Sequence, residues 1–237
     1  MKIILKTRIG SHCHGTQLPT SDQDIRCVVI PPLDYFFGLK HFEMAEEKTD
    51  GKDIETWSIS KLFRLCTKGN PSSLNILFAN SKDQLFSDSW GKEILSFRDA
   101  FLSKRIITAC VGYCVSQIHK INIGRGGKKG KRAILIAEKG YDTKFAYHAL
   151  MMTNISIELI ETGRFNPLRK NPEVKYLLGI REGKIELEDV RNQIQSNLAT
   201  IKTIEPISKL PDHPNENLIN KFLTDLLKRL FDMEEVK

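Results

Sequence analysis

The stretch from Gly10 to Ile30, Gly-Ser-His-Cys-His-Gly-Thr-Gln-Leu-Pro-Thr-Ser-Asp-Gln-Asp-Ile-Arg-Cys-Val-Val-Ile, constrains this chain more than any other. Apolar, strand-like runs at residues 3–5 and 28–30 bracket a turn-rich loop. That loop opens on Gly10-Ser11 and closes on Asp22-Gln23-Asp24. Residues two apart on a strand project to the same face, so both carboxylates point one way if they sit at a strand start. Held that close they repel, and one pKa rises unless a cation joins them. Mg²⁺ suits such a pair, because it binds through one or two carboxylates plus substrate phosphates. Gly10 lets backbone approach a phosphate without a Cβ in the way. Ser11 adds a hydroxyl, and the neighbouring N–H groups can form an anion nest. Each piece alone reads equally as a Gly-Ser turn followed by an Asx turn or a helix cap. Together they are the equipment of nucleotidyl transfer.

The spacing of Gly10-Ser11 and Asp22-x-Asp24 resembles the signature of the DNA polymerase β-type nucleotidyltransferase superfamily. The fuller string Gly10-Ser11, His14-Gly15, Ser21-Asp22-x-Asp24-Ile25-Arg26 is similar to a narrower branch, the predicted nucleotidyltransferases associated with bacterial and phage RNA-repair operons. Lys68-Gly69-Asn70-Pro71, Phe101-Leu102-Ser103-Lys104-Arg105 and Asp142-x-Lys144-x-x-x-His148 resemble further segments of that branch. Cys27 departs from it, standing where glycine is expected after the arginine.

The bulk properties bound the reading. The 237 residues suit one large or two small domains, and the 41% apolar share is enough to build a core. No apolar run is long enough to span a bilayer, and the first residues lack a secretory h-region, so a cytoplasmic location and no membrane partner are expected. Five cysteines without a Cys-x-x-Cys pair read as free thiols, and His12-Cys13-His14 lacks the spacing of a zinc site. The net charge of +7 is compatible with a polyanionic partner but does not establish one.

The expected fold class is α/β (α+β). A polymerase β-like nucleotidyltransferase core with a mixed sheet over residues 1–96 is followed by a mostly helical region over 97–237. Strands are expected at 3–9, 25–30 and 53–59, an aromatic connector at 34–39, a charged surface turn at 43–52, and helices at 61–68 and from Pro71. From about residue 85 the pattern turns helical, through 97–121, 141–163, 172–181, 185–201 and 215–233. The last of these carries a broad apolar stripe that reads as core packing or a dimer seam, so oligomeric state stays open. Gly124 to Arg132 is glycine-rich and basic, and reads as a solvated loop or as an arm for nucleic-acid phosphates. His119 stays outside the candidate site.

The resemblance implies that Asp22, Asp24 and a third acid bind Mg²⁺ or Mn²⁺. In the branch, an acid stands eight residues before a lysine, as Asp53 does before Lys61. Glu55 shares a strand face with Asp53 and is the rival. The implied nucleotide contacts are Gly10, Ser11, Arg26, Lys61, Lys68, Lys144 and His148. The expected chemistry moves an NMP, from ATP or another NTP, to a hydroxyl on an RNA or DNA end, a protein or a small molecule. Pyrophosphate is released, and RNA repair is the implied setting. The alternatives are a non-catalytic nucleotide- or RNA-binding module on the same fold, and a plain nucleic-acid binder resting on the charge.

Overall fold

The computed structural model describes residues 1–49, 51–124 and 131–235. Strand β1 (Lys2–Ile9) runs straight into a one-turn helix, α1 (Gly10–Cys13). Strand β2 (Gln23–Ile30) returns antiparallel to β1 and sets Asp24 opposite Ile9. Pro31-Pro32 ends that strand, since proline cannot extend a ladder. The aromatic connector contains a short helix, α2 (Asp34–Phe37).

The expected surface turn at 43–52 is instead a hairpin. Strand β3 (Met44–Thr49) pairs antiparallel with β4 (Lys52–Ser58). Every residue of β3 is exposed, so neither face needs apolar side chains and the alternation that betrays a strand is missing. Its Glu and Lys side chains also suit an unpaired sheet edge. Strand β4 runs parallel to β2, which sets Asp53 beside Asp24, Glu55 beside Arg26 and Trp57 beside Val28.

Helix α3 (Ile59–Thr67) starts on the Ser58 hydroxyl, which accepts the Lys61 N–H at 3.1 Å. Helix α4 (Pro71–Phe78) starts on Asn70, whose side chain accepts the Ser73 N–H at 3.1 Å, with Pro71 in the first turn. Such caps contribute about 1 kcal/mol each. Strand β5 (Gln84–Ser87) pairs with β1 where the sequence turns helical; four residues are too few for a period to show. The described sheet has five strands in the order β3-β4-β2-β1-β5.

Helices follow: α5 (Ser89–Phe97), α6 (Lys104–Asn122), α7 (Lys131–Lys139), α8 (Thr143–Thr162), α9 (Glu173–Arg181), α10 (Leu187–Ile204) and α11 (Glu216–Glu235). Most of the basic loop, residues 125–130, lies outside the described residues. Among the described residues no helix is long and apolar enough to cross a membrane, and all five cysteines are free and buried.

The core fixes which sheet face carries the carboxylates. Leu5, Val28, Ile30 and Trp57 join Leu62, Leu74, Ile106 and Leu150 in one buried cluster. Ile25 and Cys27, out of phase with Val28, are buried outside that cluster. By strand alternation Asp24 and Arg26 therefore share the helix-covered face with Val28, and Asp53 and Glu55 share it with Trp57. Helix α11 lays its apolar stripe on the same body. Phe222 stacks on Phe97 with ring centroids 3.9 Å apart and faces Phe63 at 6.1 Å, so this stripe packs within the chain.

Candidate active site

Strand β1 delivers its chain into α1 through Gly10, whose φ of +66° only glycine adopts without strain. The same residue lies against Asp24: a Cβ there would come within 2.1 Å of Asp24 Oδ2. The Gly10-Ser11 turn is thus a cradle built around one carboxylate. Asp22 and Asp24 line a cavity of about 260 Å³ together with Gly10, Ser11, Lys144 and His148. Asp53 stands beside Asp24 in the parallel register, and its Oδ1 is buried without a hydrogen-bond partner. Its Oδ2 lies 3.5 Å from Lys48 Nζ.

Glu55 is held differently. One of its oxygens pairs with Arg26 at 2.7 Å, and the other accepts the Trp57 indole N–H at 2.9 Å. The Arg26 guanidinium also sits over the Trp57 ring, 5.4 Å from its centroid. Both Glu55 oxygens are engaged and Arg26 is ion-paired, whereas Asp53, beside Asp24, keeps one oxygen without a partner. Arg26 acts on Asp24 through its charge.

Two expected nucleotide contacts lie elsewhere. Lys61 Nζ is 2.8 Å from Met44 Sδ and over the Trp57 ring, at the end of β4 opposite Asp53. Lys68 lines a separate hollow with Arg105, Glu216 and Asn220. The Asp53–Lys61 spacing spans a strand and the start of a helix, and the strand carries the lysine away from the acid.

The far side of the cavity comes from the helical region. Asp142 caps α8, accepting the Phe145 N–H at 3.1 Å, and the first turns then present Lys144, Tyr147 and His148. Lys144 and His148 share a face one turn apart. Between them Tyr147 is buried, with its hydroxyl 2.6 Å from Thr16 Oγ1. Burial pushes that phenol up to about 12, so it stays protonated. Arg181, the last residue of α9, also reaches the cavity. It donates to the Thr16 carbonyl and, at 3.3 Å, to Ser21 Oγ. The sequence reading assigned no role to Thr16, Tyr147 or Arg181. Tyr147 stood inside the Lys144–His148 pattern, whereas nothing local marked Arg181.

His14 fastens the turn after β1 to the helical region. Its Nδ1 lies 2.9 Å from the Pro167 carbonyl, and its own carbonyl accepts the Arg169 N–H at 3.1 Å. Burial drives its pKa down to about 4, against the opposing pull of the Pro167 hydrogen bond, so the ring is neutral.

Charge is concentrated round Asp24. Burial pushes its carboxyl up; Lys144 and then Arg26 oppose that, while Asp53 and Asp22 add to it. A cation between the carboxylates would relieve the repulsion. The unpartnered Asp53 oxygen and the glycine cradle on Asp24 fit such an ion. Among the described residues no group of three or more His, Cys, Asp or Glu side chains is placed to hold a metal ion by itself. Mg²⁺ does not require one, since phosphate oxygens and water complete its shell.

Comparison with known proteins gives three findings. A family model described as the RNA repair pathway DNA polymerase beta family matches residues 1–225. An uncharacterized 38.9 kDa protein in the nrdC-mobD intergenic region of Enterobacteria phage T4 is 33% identical over 86 residues, 32% of this chain and 26% of that protein. Uncharacterized protein YcgL of Bacillus subtilis (strain 168) is 28% identical over 131 residues, 54% of this chain and 46% of that one. The matches thus span less than half the length of either curated relative. The crystal structure of a nucleotidyltransferase-like protein from Exiguobacterium sibiricum 255-15 aligns with 84% of this chain and 68% of its own, at 10% identity and a TM-score of 0.31. That likeness is too slight to bear on the site.

Proposed function

Because the chain belongs to the RNA repair pathway DNA polymerase beta family, we propose that it is a metal-dependent nucleotidyltransferase moving an NMP from an NTP to a hydroxyl acceptor. The observation that carries this reading is the alignment of Asp24 with Asp53 beside the Gly10 cradle. It sets a second carboxylate beside one that lines the cavity with the Gly10-Ser11 turn.

In this reading Asp22 and Asp24, with Asp53 beside them, hold Mg²⁺ or Mn²⁺, which supplies Lewis-acid stabilisation of the attacking and leaving oxygens. The N–H groups of the Gly10-Ser11 turn face the phosphates. Lys144 places a positive charge beside the charge that develops on them. The acceptor oxygen forms a bond to the α-phosphorus while the bond from that phosphorus to its leaving oxygen breaks. Pyrophosphate departs. The hydroxyl proton passes to the carboxylate of Asp53, the register partner of Asp24. His148 lines the nucleotide side of the cavity. An RNA end is the acceptor class that the family description favours.

The test is label transfer. Purified protein is incubated with each α-³²P-NTP, Mg²⁺ or Mn²⁺, and an RNA mixture, beside an Asp22→Asn/Asp24→Asn variant. Label passes to RNA with the wild type and is lost with the variant. Metal-dependent NTP binding without transfer to RNA, protein or small molecule would leave a nucleotide-binding module instead.

A further inference from the structure

We propose that Arg181 is a polyphosphate-binding residue of this cavity, taking oxygens of a nucleoside triphosphate's tail with its guanidinium. The inference rests on the proposed reading of the site as an NTP site, and adds to it a residue from the far end of the chain.

The geometry comes first. Arg181 closes α9 and enters a cavity that also holds Gly10, Ser11, Asp22, Asp24 and Lys144. The Thr143 hydroxyl donates to the Arg181 carbonyl at 3.3 Å, which ties the end of α9 to the start of α8. The guanidinium is therefore carried on two helices, not on a free loop. It lies over the Tyr147 ring, 5.4 Å from the centroid.

The partners come second. A guanidinium has five N–H donors in a rigid fork. Here two of them are used, on the Thr16 carbonyl and the Ser21 hydroxyl, both neutral oxygens. Among the described residues no carboxylate is ion-paired with it. Arg26 and Arg169 stand in contrast, each paired directly with glutamate. A partly buried cation left with neutral partners is costly unless an anion completes it. Burial already lowers the proton affinity of Arg181, against the pull of Tyr147 and Asp24. Phosphate oxygens match the fork in spacing and charge. The two neutral contacts hold the head group in place before the ligand arrives, so little further side-chain ordering is needed on binding.

A brace that only shapes the Thr16–Ser21 loop would share these contacts, so the experiment separates the two roles. Binding of each NTP and its matching NMP, with Mg²⁺, is measured for wild type, Arg181→Ala, Arg181→Lys and Ser21→Ala, with inorganic tripolyphosphate as competitor. Arg181→Ala is expected to lose tenfold or more in NTP affinity with NMP affinity unchanged, and competition by tripolyphosphate should fall with it. Arg181→Lys should recover part of the loss, and Ser21→Ala, which removes one of the two contacts holding the guanidinium, should lose less than Arg181→Ala. Should Arg181→Ala fail to fold, Arg181→Lys and Arg181→Gln carry the comparison. Equal losses for NTP and NMP, or an unchanged NTP affinity, would overturn the role of Arg181 while leaving the NTP site intact. A wild-type protein that binds no NTP would overturn both.

Discussion

Gly10 and Asp24 are fitted to one another across two strands: a Cβ on Gly10 would stand 2.1 Å from Asp24 Oδ2, and Gly10 has a φ of +66°. The two demands reinforce each other. A side chain at position 10 would strain its own backbone and displace the carboxylate on which the proposed chemistry depends. Gly10→Ala should therefore lower stability by about 1–3 kcal/mol. It should also weaken metal-dependent NTP binding tenfold or more. Thermal melts and nucleotide titration check the two effects separately, and an unchanged NTP affinity would contradict the fit.

Asp24 and Glu55 should respond in opposite ways. Asp24→Asn removes a half-buried charge that desolvation disfavours and that Asp53 and Asp22 repel, more than Lys144 and Arg26 offset, so the protein should be as stable as wild type or more so. Transfer should fall at least about a hundredfold. Glu55→Gln strips Arg26 of its partner in a largely buried pair, 13% and 18% exposed at the side chains. Partial exposure moderates the cost to about 1–3 kcal/mol, with transfer falling less than for Asp24→Asn. Denaturant melts beside label transfer decide between the two patterns.

Three lysines named from the sequence should also separate. Lys144 faces the cavity and lowers the proton affinity of Asp24. Lys144→Ala should reduce NTP affinity about tenfold, while Lys61→Ala and Lys68→Ala should leave it within about twofold. Comparable losses at all three would mean that Lys61 and Lys68 reach the nucleotide.

His14 makes stability depend on pH. Its folded pKa of about 4 lies below the ordinary 6.5, so between those values the unfolded chain binds a proton that the fold does not. The stability from this residue is complete above pH 6.5 and is lost as pH falls towards 4. The span corresponds to about 3 kcal/mol at most. A His14→Gln variant should be less stable at pH 7 and should lose less on acidification over this window. Urea melts at pH 7, 5.5 and 4.5 test the difference in slope.

Much of this protein was determined by short-range sequence. The Gly10-Ser11 turn, the paired aspartates, the Ser58 and Asn70 caps and the α8 start at Asp142 each rest on neighbours within a few residues, so local patterning announces them. Strands β3 and β5 did not announce themselves, because one is exposed throughout and the other is four residues long. Asp53 and Glu55 show why the site needed more. Two residues apart on one strand, they have the same parity and the same charge. Their roles diverge only because the parallel register sets one beside Asp24 and the other beside Arg26. Arg181 meets Thr16 across 165 residues, and His14 meets Pro167 across 153. Contacts of that range leave no period or spacing in the sequence. They exist only once packing brings α8 and α9 down onto the turn after β1.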